Sequence, residues 1–231
     1  MRIAITGTQN NGKTTLVNAF KQFWPMYKMP EKSYRDLIKE KNLTLNESGT
    51  MESQKIIRDF LVDQALENAG KTHTLHDRCV LDNLAYTLWL SEYSKMEGTE
   101  DVVTDFIATT INLTRESLKF YDIVFWLPLN PNIPMVESPN RSSNEKYREE
   151  IDNIFYGIYE HYKKNSGIVF EKDDQPAFIP LEGELNQKLD TIRLYIGDNG
   201  NLVETEQSVL SDLETMYDEI ALREQVNKIN K

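Results

Sequence analysis

The stretch "GTQNNGKTT", Gly7 to Thr15, constrains this chain more than any other part of it. Ile3, Ala4 and Ile5 before it suit a buried strand, and "LVNAF" after it suits a helix. Gly7, Gly12, Lys13 and Thr14 match G-x-x-x-x-G-K-[ST] in the strand-loop-helix context that gives this pattern its meaning. Glycines let the backbone wrap a polyphosphate, amide N–H groups at the helix start point at its oxygens, and the helix dipole adds favourable charge. Gly7, Asn11, Gly12, Lys13, Thr14 and Thr15 are therefore the candidate nucleotide-binding residues, with Lys13 reaching the β and γ phosphates and the Thr14 hydroxyl on Mg2+.

The 231 residues, 39% of them hydrophobic, suffice for a real core, and one compact domain is expected. A formal net charge of -11 argues against a broad nucleic-acid footprint or an anionic-membrane surface, though not against a local basic pocket. Cys79 is the single cysteine, so an intramolecular disulfide framework is excluded; with no signal peptide in view, a cytoplasmic setting is expected. The longest apolar runs are far shorter than a membrane span.

Along the chain, extended and helical patterns alternate. "RIAIT" reads as a buried strand, Lys13 to Phe23 as a helix ending before Pro25, and "MYKMP" as a second extended piece stopping at Glu31. A helix over Glu52 to Asn68 precedes the short strand "HTLHD". Helices over about Asp82 to Lys95 and Val102 to Phe120 lead to "DIVFWLPL", the strongest buried-strand signal. The proline-rich "LNPNIPMVESPNRSS" reads as a mobile loop, followed by a helix from about Asn144 to Lys164, a strand at "PAFIP" and a helix at "GELNQKLDTIRLYI". The fold class is thus α/β, a parallel sheet of about five strands with helices on both faces. The turn "GDNGN" separates a last acidic helix, Glu204 to about Lys228, expected to pack on the same domain.

Guanine recognition has no support: neither an Asp-x-x-Gly switch nor an Asn-Lys-x-Asp base reader occurs, which favours ATP. In "LHDRCVLDNLAY", Asp77 and Arg78 emerge together from a short strand some sixty residues after the phosphate loop. Over about residues 1 to 196 this arrangement resembles the P-loop nucleoside and nucleotide kinases, which include deoxynucleoside kinases, thymidylate kinases and nicotinamide riboside kinase domains. The resemblance implies a three-layer P-loop fold with an arginine-bearing lid, ATP and Mg2+, and a nucleoside-like acceptor. It also leaves open a homodimer.

Phosphoryl transfer needs Mg2+ on the phosphates, cations around the equatorial oxygens and a positioned acceptor. Asp77, at the carboxyl end of a strand beside the loop, is placed to hold Mg2+ directly or through water, with Arg78 facing the acceptor or the transferred group. By resemblance Glu31 is the candidate base for the acceptor hydroxyl; the family often has Pro next, whereas Lys32 follows here, and Arg35 lies four residues on instead of the commoner three. Arg141, in the expected lid, and Arg148, two helical turns on, suit the γ phosphate because a guanidinium forks across two oxygens.

Gln54 is a weaker candidate for reading a base edge, an exposed position being the ordinary one for this residue type. Tyr86, Trp89 and Tyr93 share a helical face that suits core as well as stacking. His73, His76 and His161 lack metal-ligand spacing, and Cys79 has no evident basic partner. Three functions compete. The first is a kinase acting on a hydroxyl or monophosphate of a nucleoside-like molecule. The second is a kinase acting on hydroxymethylpyrimidines in DNA, with Lys28, Lys32, Lys39 and Lys41 as its only basic cluster. The third is an ATP-dependent switch with the C-terminal helix as output.

Overall fold

Parallel pairing of four short strands sets the architecture. In the computed structural model, which describes residues 1–93, 96–135 and 142–203, β1 (Arg2–Gly7), β2 (Thr74–Asp77), β3 (Ile123–Leu127) and β4 (Ala177–Pro180) lie in the order β2-β1-β3-β4, all parallel. β3 is hydrophobic throughout, and Ile3 to Ile5 of β1 are fully buried, because both faces are covered. Ile3, Ile5, Leu75, Ile123, Phe125 and Leu127 pack with α1 (Lys13–Phe23) and α7 (Leu185–Arg193). Ala4, Val124, Trp126 and Phe178 pack on the other face with α3 (Met51–Glu67), α4 (Val80–Glu92) and α6 (Glu145–Lys163), while α5 (Glu100–Leu118) lies against α3 and α4. The result is the expected three layers.

Of the about five strands expected, four form among the described residues. "MYKMP" forms no strand; its Lys28 makes a single parallel bridge to Thr74, with the Lys28 N–H donating to the His73 carbonyl at 2.8 Å and its own carbonyl accepting from Leu75 at 3.0 Å. Pro25 and Pro30 bracket the segment and supply no N–H to a ladder, so pairing stops after one bridge. A helix not anticipated from the sequence, α2 (Tyr34–Lys41), follows. Its start is a reciprocal cap, with Ser33 Oγ accepting from the Asp36 N–H at 3.2 Å and the Asp36 carboxylate accepting from the Ser33 N–H at 2.9 Å. Only Leu37 and Ile38 of its eight residues are buried, too few to register as a periodic pattern.

The "GDNGN" turn closes on itself through the Gly200 N–H and the Gly197 carbonyl at 2.8 Å, and the chain doubles back in an antiparallel bridge of Ile196 with Leu202. The expected helix over 204–228 lies outside the described residues. Among the described residues no helix is long and apolar enough to cross a membrane.

Candidate active site

The phosphate loop is held from both ends. At Gly7, φ +133°, an added Cβ would stand 2.7 Å from the Leu127 carbonyl oxygen, so β1 and β3 meet too closely for any side chain. Gly12, φ +76°, precedes α1 in the left-handed region, and among the described residues no side chain caps the helix there, a helix start of the kind that receives an anion. Thr8, Gln9, Asn10 and Asn11 are buried. The Lys13 ammonium, itself buried, donates to the Gly7 carbonyl and, at 2.6 Å, to that of Thr8. Asn11 turns its side chain to the strand exit, with Nδ2 donating to the Leu127 and Pro128 carbonyls, both at 2.8 Å, and Oδ1 accepting from the Asn130 N–H at 3.0 Å. What Asn11 can offer a phosphate is therefore its backbone N–H.

Strand register puts Asp77 opposite Ile5, at the same end of the sheet as the loop. Arg78 adopts φ +94°, uncommon for a residue with a side chain, while its N–H continues the ladder to the Ile5 carbonyl at 3.0 Å. Its guanidinium is fixed by Asp82, whose Oδ1 accepts at 2.8 Å, and it lies 4.8 Å from the Tyr34 ring centroid. Burial opposes the Arg78 charge, but Asp82 and, more weakly, Tyr86, Tyr34 and Asp77 outweigh it and raise its pKa. The same Asp82 accepts from Thr6 Oγ1 at 2.7 Å and from the Cys79 N–H at 3.0 Å, thereby capping α4. Sequence reading missed Asp82; the signal available was a carboxylate three residues after the helix cap. Cys79 is fully buried and burial pushes its thiol pKa up, which suits filler and not a nucleophile.

A cavity of about 480 Å³ brings the parts of the site together. Lys13, Thr14, Asp77 and Arg78 line it, and so do Tyr34, Ile38, Gln54, Ile57, Asn83 and Tyr86. Gln54 is buried, against the ordinary expectation for its type, because Asn83 Nδ2 donates to both its backbone carbonyl and Oε1 at 2.9 and 2.8 Å. Asn83 Oδ1 is buried with no hydrogen-bond partner among the described residues. The aromatic stripe divides: Tyr86 lines the cavity, whereas Trp89 is core, stacked on Tyr93 at 4.7 Å and edge-on to Tyr147 at 4.5 Å.

From the opposite side α6 supplies Arg148, buried, with Nη1 donating to the Asn10 and Ile133 carbonyls at 3.3 and 3.4 Å. Asp152, one turn further and unanticipated, accepts from the Leu129 N–H at 3.0 Å. Burial pushes its pKa up to about 6 despite that bond and the nearby Arg148 and Lys13. Arg141 lies outside the described residues. Glu31 is exposed ahead of α2 and is not among the residues lining the cavity. Arg35, on α2, does line it, and its Nη2 donates to Thr14 Oγ1 at 2.8 Å.

Oxygen donors suit a hard cation here. Thr14 and Asp77 line the same cavity, and no group of three or more His, Cys, Asp or Glu side chains is placed to hold a metal among the described residues. That donor set matches Mg2+, which keeps its waters and takes one or two protein oxygens together with phosphate.

A glycine-rich phosphate loop on the first of four parallel strands, with an Asp-Arg pair beside it and helices on both faces, defines a P-loop protein with the architecture of nucleoside and nucleotide kinases. The chain belongs to the AAA domain family, whose model matches residues 2–172. Among solved structures it is similar to thymidylate kinase from Candida albicans, at 16% identity and a TM-score of 0.59, over 88% of this chain and 94% of that one. It is similar also to deoxyadenosine kinase from M. mycoides, at 17% identity and a TM-score of 0.59, over 83% of this chain and 96% of the other. A structure of NadR protein in complex with NR aligns at 13% identity and a TM-score of 0.60, over 88% of this chain and 52% of that one. At these identities the likeness is one of fold. No curated protein matches the chain.

Proposed function

We propose that the protein is an ATP-dependent phosphotransferase that moves the γ-phosphoryl group to a hydroxyl or monophosphate of a nucleoside-like molecule. The observation that carries this reading is the shared cavity: phosphate-loop residues and a set of apolar and amide side chains line one space of about 480 Å³, room for a small planar molecule beside a nucleotide's phosphates. Gln54 and Asn83 lock each other by hydrogen bonds at the cavity wall, a rigid amide pair of the kind that reads a base.

Thr14 and Asp77 would hold Mg2+, which when bound supplies charge neutralisation across the phosphates. Lys13, and Arg148 from outside the cavity lining, would bring positive charge to the same loop, and Arg78, kept rigid by Asp82, would face the acceptor. The acceptor proton goes to a carboxylate. Glu31 is the candidate by resemblance, since the carboxylates that line the cavity, Asp77 and Asp82, are engaged with Mg2+ and with Arg78 in this reading; E31Q should then lose turnover with little change in acceptor KM.

The decisive test is ATP consumption with Mg2+ against free nucleosides, nucleoside monophosphates, nicotinamide riboside and hydroxymethylpyrimidine-containing DNA, beside an acceptor-free control. One free nucleoside or nucleotide should stimulate turnover, and K13A should lower it by about 100-fold or more. A rate that no acceptor raises above the control would overturn the reading in favour of an ATP-dependent switch. Stimulation by DNA alone would transfer it to a polymer substrate, although in the proposed basic cluster both Lys32 and Lys41 pair with Glu40.

A further inference from the structure

Arg35 touches the one hydroxyl that the proposed reaction needs for something else. Its guanidinium crosses from α2 to Thr14 Oγ1 at 2.8 Å, and Thr14 is the residue assigned above to the metal. A guanidinium donating to that oxygen and a divalent cation on it repel each other, so the contact seen and the assigned role exclude one another in time. The other cations of the site are tied in place. Asp82 holds Arg78, backbone carbonyls of the loop and of Ile133 hold Arg148, and the carbonyls of Gly7 and Thr8 receive Lys13. Arg35 differs from them: it is exposed, and Thr14 is its one hydrogen-bond partner among the described residues.

We propose that Arg35 is a catalytic residue with two positions. It rests on the Thr14 hydroxyl before nucleotide binds, gives that hydroxyl up when Thr14 turns to the metal, and moves to the oxygens of the phosphoryl group in transfer. This assignment rests on the phosphotransferase reading above and adds a ligand for the transferred group. The place fits, since Arg35 and its helix neighbours Tyr34 and Ile38 line the same cavity as the phosphate loop, and its tip reaches that loop at Thr14. In the step itself the bond from the γ phosphorus to its bridging oxygen breaks, and the electron pair stays on the departing ADP. A bond forms to the acceptor oxygen, whose proton passes to the carboxylate. Arg35 donates N–H groups to the equatorial oxygens throughout and returns to Thr14 when product leaves.

Calorimetric titration of wild type, R35A and R35K with a non-hydrolysable ATP analogue, with and without Mg2+, tests this alongside steady-state kinetics. R35A removes the competitor for Thr14, so it should bind the Mg2+ form as tightly as wild type or up to about threefold more tightly, with binding of the metal-free form unchanged. Its kcat should fall by about 100-fold while acceptor KM stays within about threefold, and R35K should recover part of the loss. Weakening of analogue binding in step with kcat would make Arg35 a ground-state contact and overturn the exchange; an unchanged kcat would make it an ordinary surface arginine. Wild-type protein that binds no nucleotide at all would instead overturn the phosphotransferase reading, and the role of Arg35 with it.

Discussion

Asp152 is a carboxylate kept where a carboxylate costs stability. Its pKa is pushed up to about 6 by burial, from 3.8, so the folded chain holds a proton there that the unfolded chain releases. Between about pH 4 and 6 the folded state binds more protons, and the stability from this group falls as pH rises through that window, by at most about 3 kcal/mol. D152N keeps an acceptor for the Leu129 N–H without the charge. It should match wild type near pH 4 and exceed it at pH 7 to 8, by about 1–3 kcal/mol in urea denaturation. His76 works the other way, its pKa lowered to about 4 by burial, so its contribution to stability is lost as pH falls from about 6.5 towards 4. Neither effect was legible in the sequence. Lys13, Thr14, Asp77 and Arg78 stand out because their spacing is local, whereas Arg35, Asp82 and Asp152 matter through partners 21, 76 and 23 residues away.

Elements with a dense periodic pattern were legible, and those fixed by a few contacts were not. The expected strand "DIVFWLPL" and helix from Asn144 to Lys164 correspond to β3 and α6, both with continuous or regular apolar faces. α2 went unseen because a reciprocal cap and two buried residues specify it, and the fifth strand was expected where prolines stop the ladder after one bridge. The junction of β1 and β3 is the most tightly specified piece of the site. G7A would drive a methyl group against a backbone oxygen at 2.7 Å in a conformation that side chains disfavour, so a loss of about 3 kcal/mol or more is expected on denaturation. N11A leaves two strand-exit carbonyls and one N–H without their partner, and should cost about 2–3 kcal/mol while lowering nucleotide affinity, because the loop then loses its hold on residues 127–130.

For the whole molecule, alternation along four parallel strands yields two cores, and the site lies at the carboxyl end of the sheet that separates them. An excess of eleven negative charges is compatible with the cavity lined by Lys13, Arg35 and Arg78, because a focused pocket needs only a few cations. Residues 197–203 belong to this unit physically: Trp24 Nε1 donates to the Gly197 carbonyl at 2.9 Å and the Tyr27 hydroxyl to that of Gly200 at 2.7 Å. A chain ending at residue 196 should therefore be less stable than one ending at 203 by about 2 kcal/mol in urea denaturation, and equal midpoints would place the boundary earlier. The Trp24 bond has an optical consequence as well. An indole whose N–H is anchored to the returning chain is a built-in fluorophore for its docking, so any event that lifts residues 197–203 away would be read directly as a red-shifted emission, with no label attached.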